Sequence, residues 1–189
     1  MQPIREKRQI EAMKRILRGN PGTGLRDHCL FVLGINSGLR VSDLLRLTVG
    51  EVLDSKGKIR DRITLREQKT GKAKNFPISQ TAAKAIKEYL DTRRGSERSE
   101  PLFLSRKERG HLQRAQAYKI VRDAARSVGI DEAIGTHTLR KTFGYWAYKE
   151  GKDLTLIQKL LNHASPAVTL AYIGITQEQL DDVYLSLNL

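Results

Sequence analysis

With 189 residues, 34 Lys plus Arg against 21 Asp plus Glu and a net charge of +13, the chain can bury a proper core and calls for a polyanionic partner. Its longest apolar run, Cys29 to Leu33 with Ile35 just beyond Gly34, is too short to cross a bilayer, and the charged opening does not read as a targeting signal; a cytoplasmic protein with no membrane partner is expected. A lone cysteine, Cys29, leaves no intrachain disulfide or Cys-rich metal site among these residues and reads as a small buried hydrophobe.

Residues 5–18 are predicted as an amphipathic helix, with Ile10, Met13 and Ile16 or Leu17 at helical spacing and Gly19, Pro21 and Gly22 as its stop. A second helix over 24–36 is mostly apolar after His28, which predicts a central place in the core, and Ser37-Gly38 breaks it. In 39–47, Val41, Leu44, Leu45 and Leu47 anchor a short helix. Arg40 stands at its start beside a glycine turn, with Asp43 placed to orient its guanidinium.

From Val49 to Ile78 the pattern changes to a small antiparallel sheet. Ile63-Thr64-Leu65 alternates, Lys69-Thr70-Gly71-Lys72 is a turn with a basic tip, and Asn75-Phe76-Pro77-Ile78 closes the second strand. Ser79 is predicted to cap a helix reaching about Arg93, with Ala82, Ala83, Ile86 and Leu90 buried. Residues 92–101 are the most linker-like stretch, Leu102-Phe103-Leu104 a short buried strand or turn, and 112–128 another helix.

The last third is clearly punctuated. Residues 138–150 are predicted as a helix packing Phe143, Trp146 and Ala147 and ended by Gly151. Asp153 caps a helix over 154–161, and Ser165-Pro166 opens the next one. Thr176 with Gln179 forms a capping-box signature for a terminal helix reaching about Leu187. The expected fold class is mainly α with a small antiparallel β-sheet.

Charge is unevenly spread: residues 1–75 carry 17 basic and 8 acidic side chains, 76–150 carry 15 and 9, and 151–189 carry 2 and 4. The first 150 residues are therefore expected to hold nucleic acid. Within 137–172 the chain gathers His137, Arg140, His163 and Tyr172, while Arg40 and Lys69 stand upstream. Taken singly each has a plainer reading: a core tyrosine, satisfied histidines, arginines on buried carboxylates, a solvated lysine. Together they supply cations for a phosphate, proton-handling rings and a hydroxyl nucleophile, which points to phosphodiester chemistry.

Ser37-Gly38-Leu39-Arg40 with Asp43, Lys69-Thr70-Gly71, His137-Thr138-Leu139-Arg140, Leu161-Asn162-His163-Ala164-Ser165 and Thr169 to Tyr172 resemble, in order and in spacing, the motifs of tyrosine recombinases, the family of phage integrases and Xer resolvases. The similarity runs from about Pro3 to Tyr184. The resemblance implies that Tyr172 attacks the scissile phosphate and forms a 3′-phosphotyrosyl bond, with Arg40 and Arg140 on the non-bridging oxygens. It further implies Lys69 protonating the 5′ oxygen, His163 donating to the phosphate, His137 assisting proton transfer at the tyrosine, and Asp43 supporting Arg40.

The chemistry is sound from below. A phenol of ordinary pKa about 10 needs nearby positive charge and a base to attack at neutral pH. Guanidiniums aimed at the non-bridging oxygens stabilise the charge that accumulates there; losing one such donor costs about 2.7–4 kcal/mol. The phosphotyrosyl ester conserves the energy of the broken bond, so rejoining needs no nucleotide triphosphate. The sequence holds neither a P-loop nor a carboxylate cluster for Mg²⁺, and no cofactor or metal is expected.

The expected function is site-specific cleavage and rejoining of double-stranded DNA, for integration, excision, inversion or resolution. A type IB topoisomerase-like relaxing activity and a non-catalytic regulator are the alternatives, the latter because residues 153–172 also look like a helix-turn-helix. The terminal helix from Gln177 carries three acids, no bases and an apolar stripe of Leu180, Val183, Tyr184 and Leu187. It is expected to dock on a neighbouring subunit, as family members exchange C-terminal segments, although periodicity alone fits its own domain equally well. A homotetramer on DNA follows, with room for an accessory protein. Integrases and Xer proteins usually carry a further N-terminal helical domain, so residues 1–189 read as a single catalytic domain without it, either a natural short form or part of a longer chain.

Overall fold

The apolar run that begins at Cys29 becomes the axis of the molecule. In a computed structural model that describes residues 1–93, 95–106, 110–175, 181 and 184–187, α2 (Gly24–Ser37) buries Cys29, Leu30, Phe31, Val32 and Leu33 in succession, the signature of a helix enclosed on every side. Around it pack α1 (Lys7–Gly19), α5 (Gln80–Asp91) and α7 (Thr136–Lys149). α1 turns Ile10, Met13 and Leu17 inward as its spacing predicts, but it starts two residues late. The segment ahead of it is claimed by other elements: Gln2 N donates to Ala133 O (2.8 Å), Ile4 N to Thr142 Oγ1 (2.9 Å), Trp146 Nε1 to Ile4 O (3.0 Å) and Arg5 Nη2 to Gly174 O (2.9 Å).

Gly38 ends α2 in the left-handed region (φ 58°), where a Cβ would also lie 2.6 Å from the Phe143 ring, so only glycine fits this turn. It delivers Arg40 to the opening of α3 (Val41–Leu45). A short helix, α4 (Val49–Val52), then stands where the sequence pattern predicts the start of the sheet region, held by Thr48 N donating to Glu51 Oε2 (2.7 Å). β1 (Arg62–Arg66) and β2 (Ala73–Pro77) form the expected antiparallel pair, with Ile63 opposite Phe76 and Leu65 opposite Lys74.

α5 is capped by Ser79, whose Oγ accepts from Ala82 N (3.3 Å), yet its buried face is Ala82, Ala85, Ile86 and Tyr89, rotated from the predicted one, with Ala83 and Leu90 half-buried. The stretch read as a linker is tied down: Arg93 donates to Pro101 O (3.0 Å) and Leu102 O (2.7 Å) and pairs with Glu100 at 2.6 Å. Leu102 and Phe103 are fully buried beyond it, and α6 (Arg114–Ser127) packs on α1 and α7.

α8 (Leu154–Leu161) and α9 (Pro166–Ile173) pack on α7 around a separate small core of Tyr145, Ile157, Leu161 and Ile173. Asp153 Oδ1 accepts from Thr155 N (2.7 Å) and Leu156 N (3.2 Å), and Ser165 Oγ from Val168 N (3.3 Å), so both predicted caps form. Of the terminal helix, residue 181 and residues 184–187 are helical; Thr176, Gln179, Leu180 and Val183, which carry its predicted cap and half its stripe, lie outside the described residues. Among the described residues no helix is long and apolar enough to cross a membrane.

Candidate active site

Two arginines from distant parts of the chain meet where α3, β1 and α7 converge. Arg140 is 3% exposed; its Nη1 donates to Gly38 O and its Nη2 to Leu161 O, so one guanidinium joins the turn that carries Arg40 to the end of α8. Burial pushes Arg140 below its ordinary pKa, with Arg40 pushing the same way while Tyr172, Glu67 and Asp43 act against it. Those four groups and Arg140 therefore share one locality.

Arg40 pairs at 2.9 Å with Glu67, whose side chain is 4% exposed. Asp43, expected to orient Arg40, instead engages its Oδ1 with Gln68 N (2.9 Å), which fastens the hairpin to α3. Burial drives the Glu67 carboxyl up, but hydrogen bonds from Thr70 and Arg40, and the charge of Arg40, outweigh it and hold the group below the usual range. Sequence reasoning missed Glu67. The signal was an acid at the inward position of an Ile63, Leu65, Glu67 alternation.

His163 follows Asn162, which ends α8 in the left-handed region (φ 50°). Its Nδ1 lies 3.2 Å from Thr169 Oγ1; because that hydroxyl gives its proton to Ser165 O (3.2 Å), Nδ1 is assigned as the donor. Burial, then the charges of Arg140 and Arg40, push the His163 pKa down. The His163 ring meets the Tyr172 ring edge-on, centroids 4.7 Å apart at 67°. Tyr172 is half-buried near the end of α9; burial raises its phenol pKa, while the charges of Arg140 and Arg40 and a hydrogen bond with Arg140 oppose that rise.

Four of the sequence-derived candidates, Arg40, Arg140, His163 and Tyr172, thus come together. His137 stands at their margin, exposed in the first turn of α7, its pKa lowered first by desolvation and then by the charges of Arg114, Arg140 and Lys141. Lys69 is exposed in the turn between β1 and β2, and among the described residues it is bonded to none of these four. The hairpin reaches the site through Lys72, just before β2, and Lys74 within it. Lys74 Nζ donates to Leu160 O (3.2 Å) and Lys72 Nζ to Asn162 Oδ1 (3.4 Å). Burial first, then the charge of Arg140, pushes Lys74 down to about 8. Two guanidiniums beside a phenol and an imidazole can bind an oxyanion and present an oxygen nucleophile to it.

The comparisons with known proteins agree with this geometry. The model of the phage integrase family matches residues 5–179. The probable integrase/recombinase YoeC of Bacillus subtilis (strain 168) is 41% identical over 178 residues, covering 94% of this chain and 92% of that protein. The crystal structure of XerA recombinase superposes with a TM-score of 0.77 at 22% identity, covering all of this chain and 65% of that one. That of the XerH site-specific recombinase bound to palindromic difH substrate, a post-cleavage complex, gives 0.75 at 21% identity over 95% of this chain and 51% of that one.

Proposed function

Because this chain belongs to the phage integrase family, we propose that it is a tyrosine-type site-specific recombinase that cleaves and rejoins double-stranded DNA. The observation that carries the reading is the meeting of Arg40, Arg140, His163 and Tyr172 from four separated segments. In this reading Tyr172 Oη attacks the phosphorus as its proton leaves toward His137. The bond to the 5′ oxygen breaks, that oxygen takes a proton from Lys69, and a 3′-phosphotyrosyl ester forms; attack by another strand's 5′ hydroxyl reverses the step. Arg40 and Arg140 hold the non-bridging oxygens throughout, and Asp43 supports the first arginine through the hairpin it anchors. Lys69 acts only once DNA draws the hairpin tip inward.

Incubation with a nicked suicide site tests this. A covalent protein–DNA adduct is expected from the wild type and none from Tyr172→Phe; a wild type that binds the site without forming the adduct would leave a regulator. A two-site assay that yields relaxed but unexchanged DNA would reduce the activity to that of a topoisomerase.

The same reading extends to assembly. Tyr184, Leu185 and Leu187 are 79%, 77% and 59% exposed, an apolar surface that supports docking of the tail on a neighbouring subunit within a tetramer on DNA. Removal of residues 177–189 is expected to leave binding to one site intact and abolish the synaptic complex on native gels. Unchanged synapsis would return the tail to its own domain.

A further inference from the structure

We propose that Lys141 is a positioning residue for the nucleophile, holding the Tyr172 ring and favouring its phenolate by lying over the aromatic face; the inference rests on the reading of Tyr172 above. Lys141 Nζ stands 4.8 Å from the centre of the Tyr172 ring. It follows Arg140 in α7, and one helical step separates the two side chains by about 100°. The buried guanidinium therefore addresses the hydroxyl while the half-buried ammonium covers the ring.

His163 closes the arrangement edge-on at 4.7 Å. The ring is held by Arg140 and Lys141 of α7 and by His163 in the turn between α8 and α9, each of which is or can become a cation. A cation over an aromatic face is attracted by the ring's quadrupole, and more strongly once the phenol loses its proton and the ring carries negative charge. Among the described residues no carboxylate pairs with Lys141 to compete for its charge. Its own pKa is lowered by burial and by Arg5, as befits an ammonium turned inward. The charged and titratable groups that face Tyr172 are thus Arg140 and Arg40 at the hydroxyl, His163 at the edge and Lys141 on the face.

In protein carrying ¹³C at tyrosine Cζ, the Tyr172 signal is identified by its loss in Tyr172→Phe and followed through alkaline pH. Lys141→Met is expected to raise its midpoint by roughly half a unit to one unit, and Lys141→Arg to return it to the wild-type position. On the suicide site, Lys141→Met is expected to form adduct roughly three- to tenfold more slowly at pH 7, with the gap closing as pH rises. A midpoint unmoved in Lys141→Met, or one that Lys141→Arg fails to restore, would overturn the inference. If the wild type forms no adduct, the recombinase reading falls, while the titration still decides the role of Lys141.

Discussion

Glu67 is the side chain whose replacement is expected to register in both stability and activity. Glu67→Gln leaves the Arg40 guanidinium, 19% exposed at its side chain, without its counter-charge. Urea unfolding at pH 7 is expected to show a loss of about 1–3 kcal/mol, and adduct formation to slow as Arg40 loses its fixed orientation. The folded carboxyl sits below its ordinary value of about 4.3, so its contribution is complete above that value and is lost as pH falls through the folded one. The difference between variant and wild type should therefore shrink in acid. His163 behaves in the opposite chemical sense with the same sign in pH. Its depressed pKa keeps the ring neutral at pH 7, with Nε2 unprotonated because Nδ1 donates to Thr169. To donate to a phosphate it must gain a proton. Its NMR titration midpoint is expected below about 6.5 in the free protein and above it with DNA bound. Arg40, Arg140, His163 and Tyr172 were legible in the sequence because each stands in a short distinctive motif. Glu67, Lys74 and Lys141 were not, because what each does depends on a partner distant in sequence, and an isolated charged residue in a basic chain reads as solvated.

Helix boundaries were legible where a cap stood beside a long enough periodic run. Asp153, Ser165, Pro166 and Gly38 each do locally what their residue type does best, and the structure places helix ends where they stand. The failures have physical causes. α4 lasts four residues, too few for periodicity, although Thr48 and Glu51 had the spacing of a capping box. α5 turns Tyr89 inward because its ring stacks near Phe103, an element that local periodicity cannot see. The α8–α9 unit packs closely on Gly144 of α7, where a Cβ would lie 2.7 Å from Ile173 Cγ2 and 3.0 Å from Leu161 Cδ1. Gly144→Ala gains helix propensity in α7 but must push α8 and α9 outward, moving His163 and Tyr172 off Arg140. The expected outcome is a net destabilisation of about 1–2 kcal/mol in thermal or urea melts. Adduct formation should fall further than the lost folded fraction accounts for.

Across the whole molecule, the charge of +13 makes affinity for DNA largely ionic. Raising salt from 50 to 200 mM is expected to weaken the electrophoretic shift by several orders of magnitude if about 6–10 phosphates are contacted. A shift insensitive to salt would mean that binding rests on something other than the basic surface. Finally, the opening residues are knotted into the machinery at a distance. Gln2 reaches Ala133, Ile4 is gripped by Thr142 and Trp146, and Arg5 clasps Gly174, two positions past Tyr172. An affinity tag or fluorescent fusion attached ahead of Met1 would tug on a leash whose far end is the reactive helix, and such a fusion is expected to slow adduct formation until it is cleaved off.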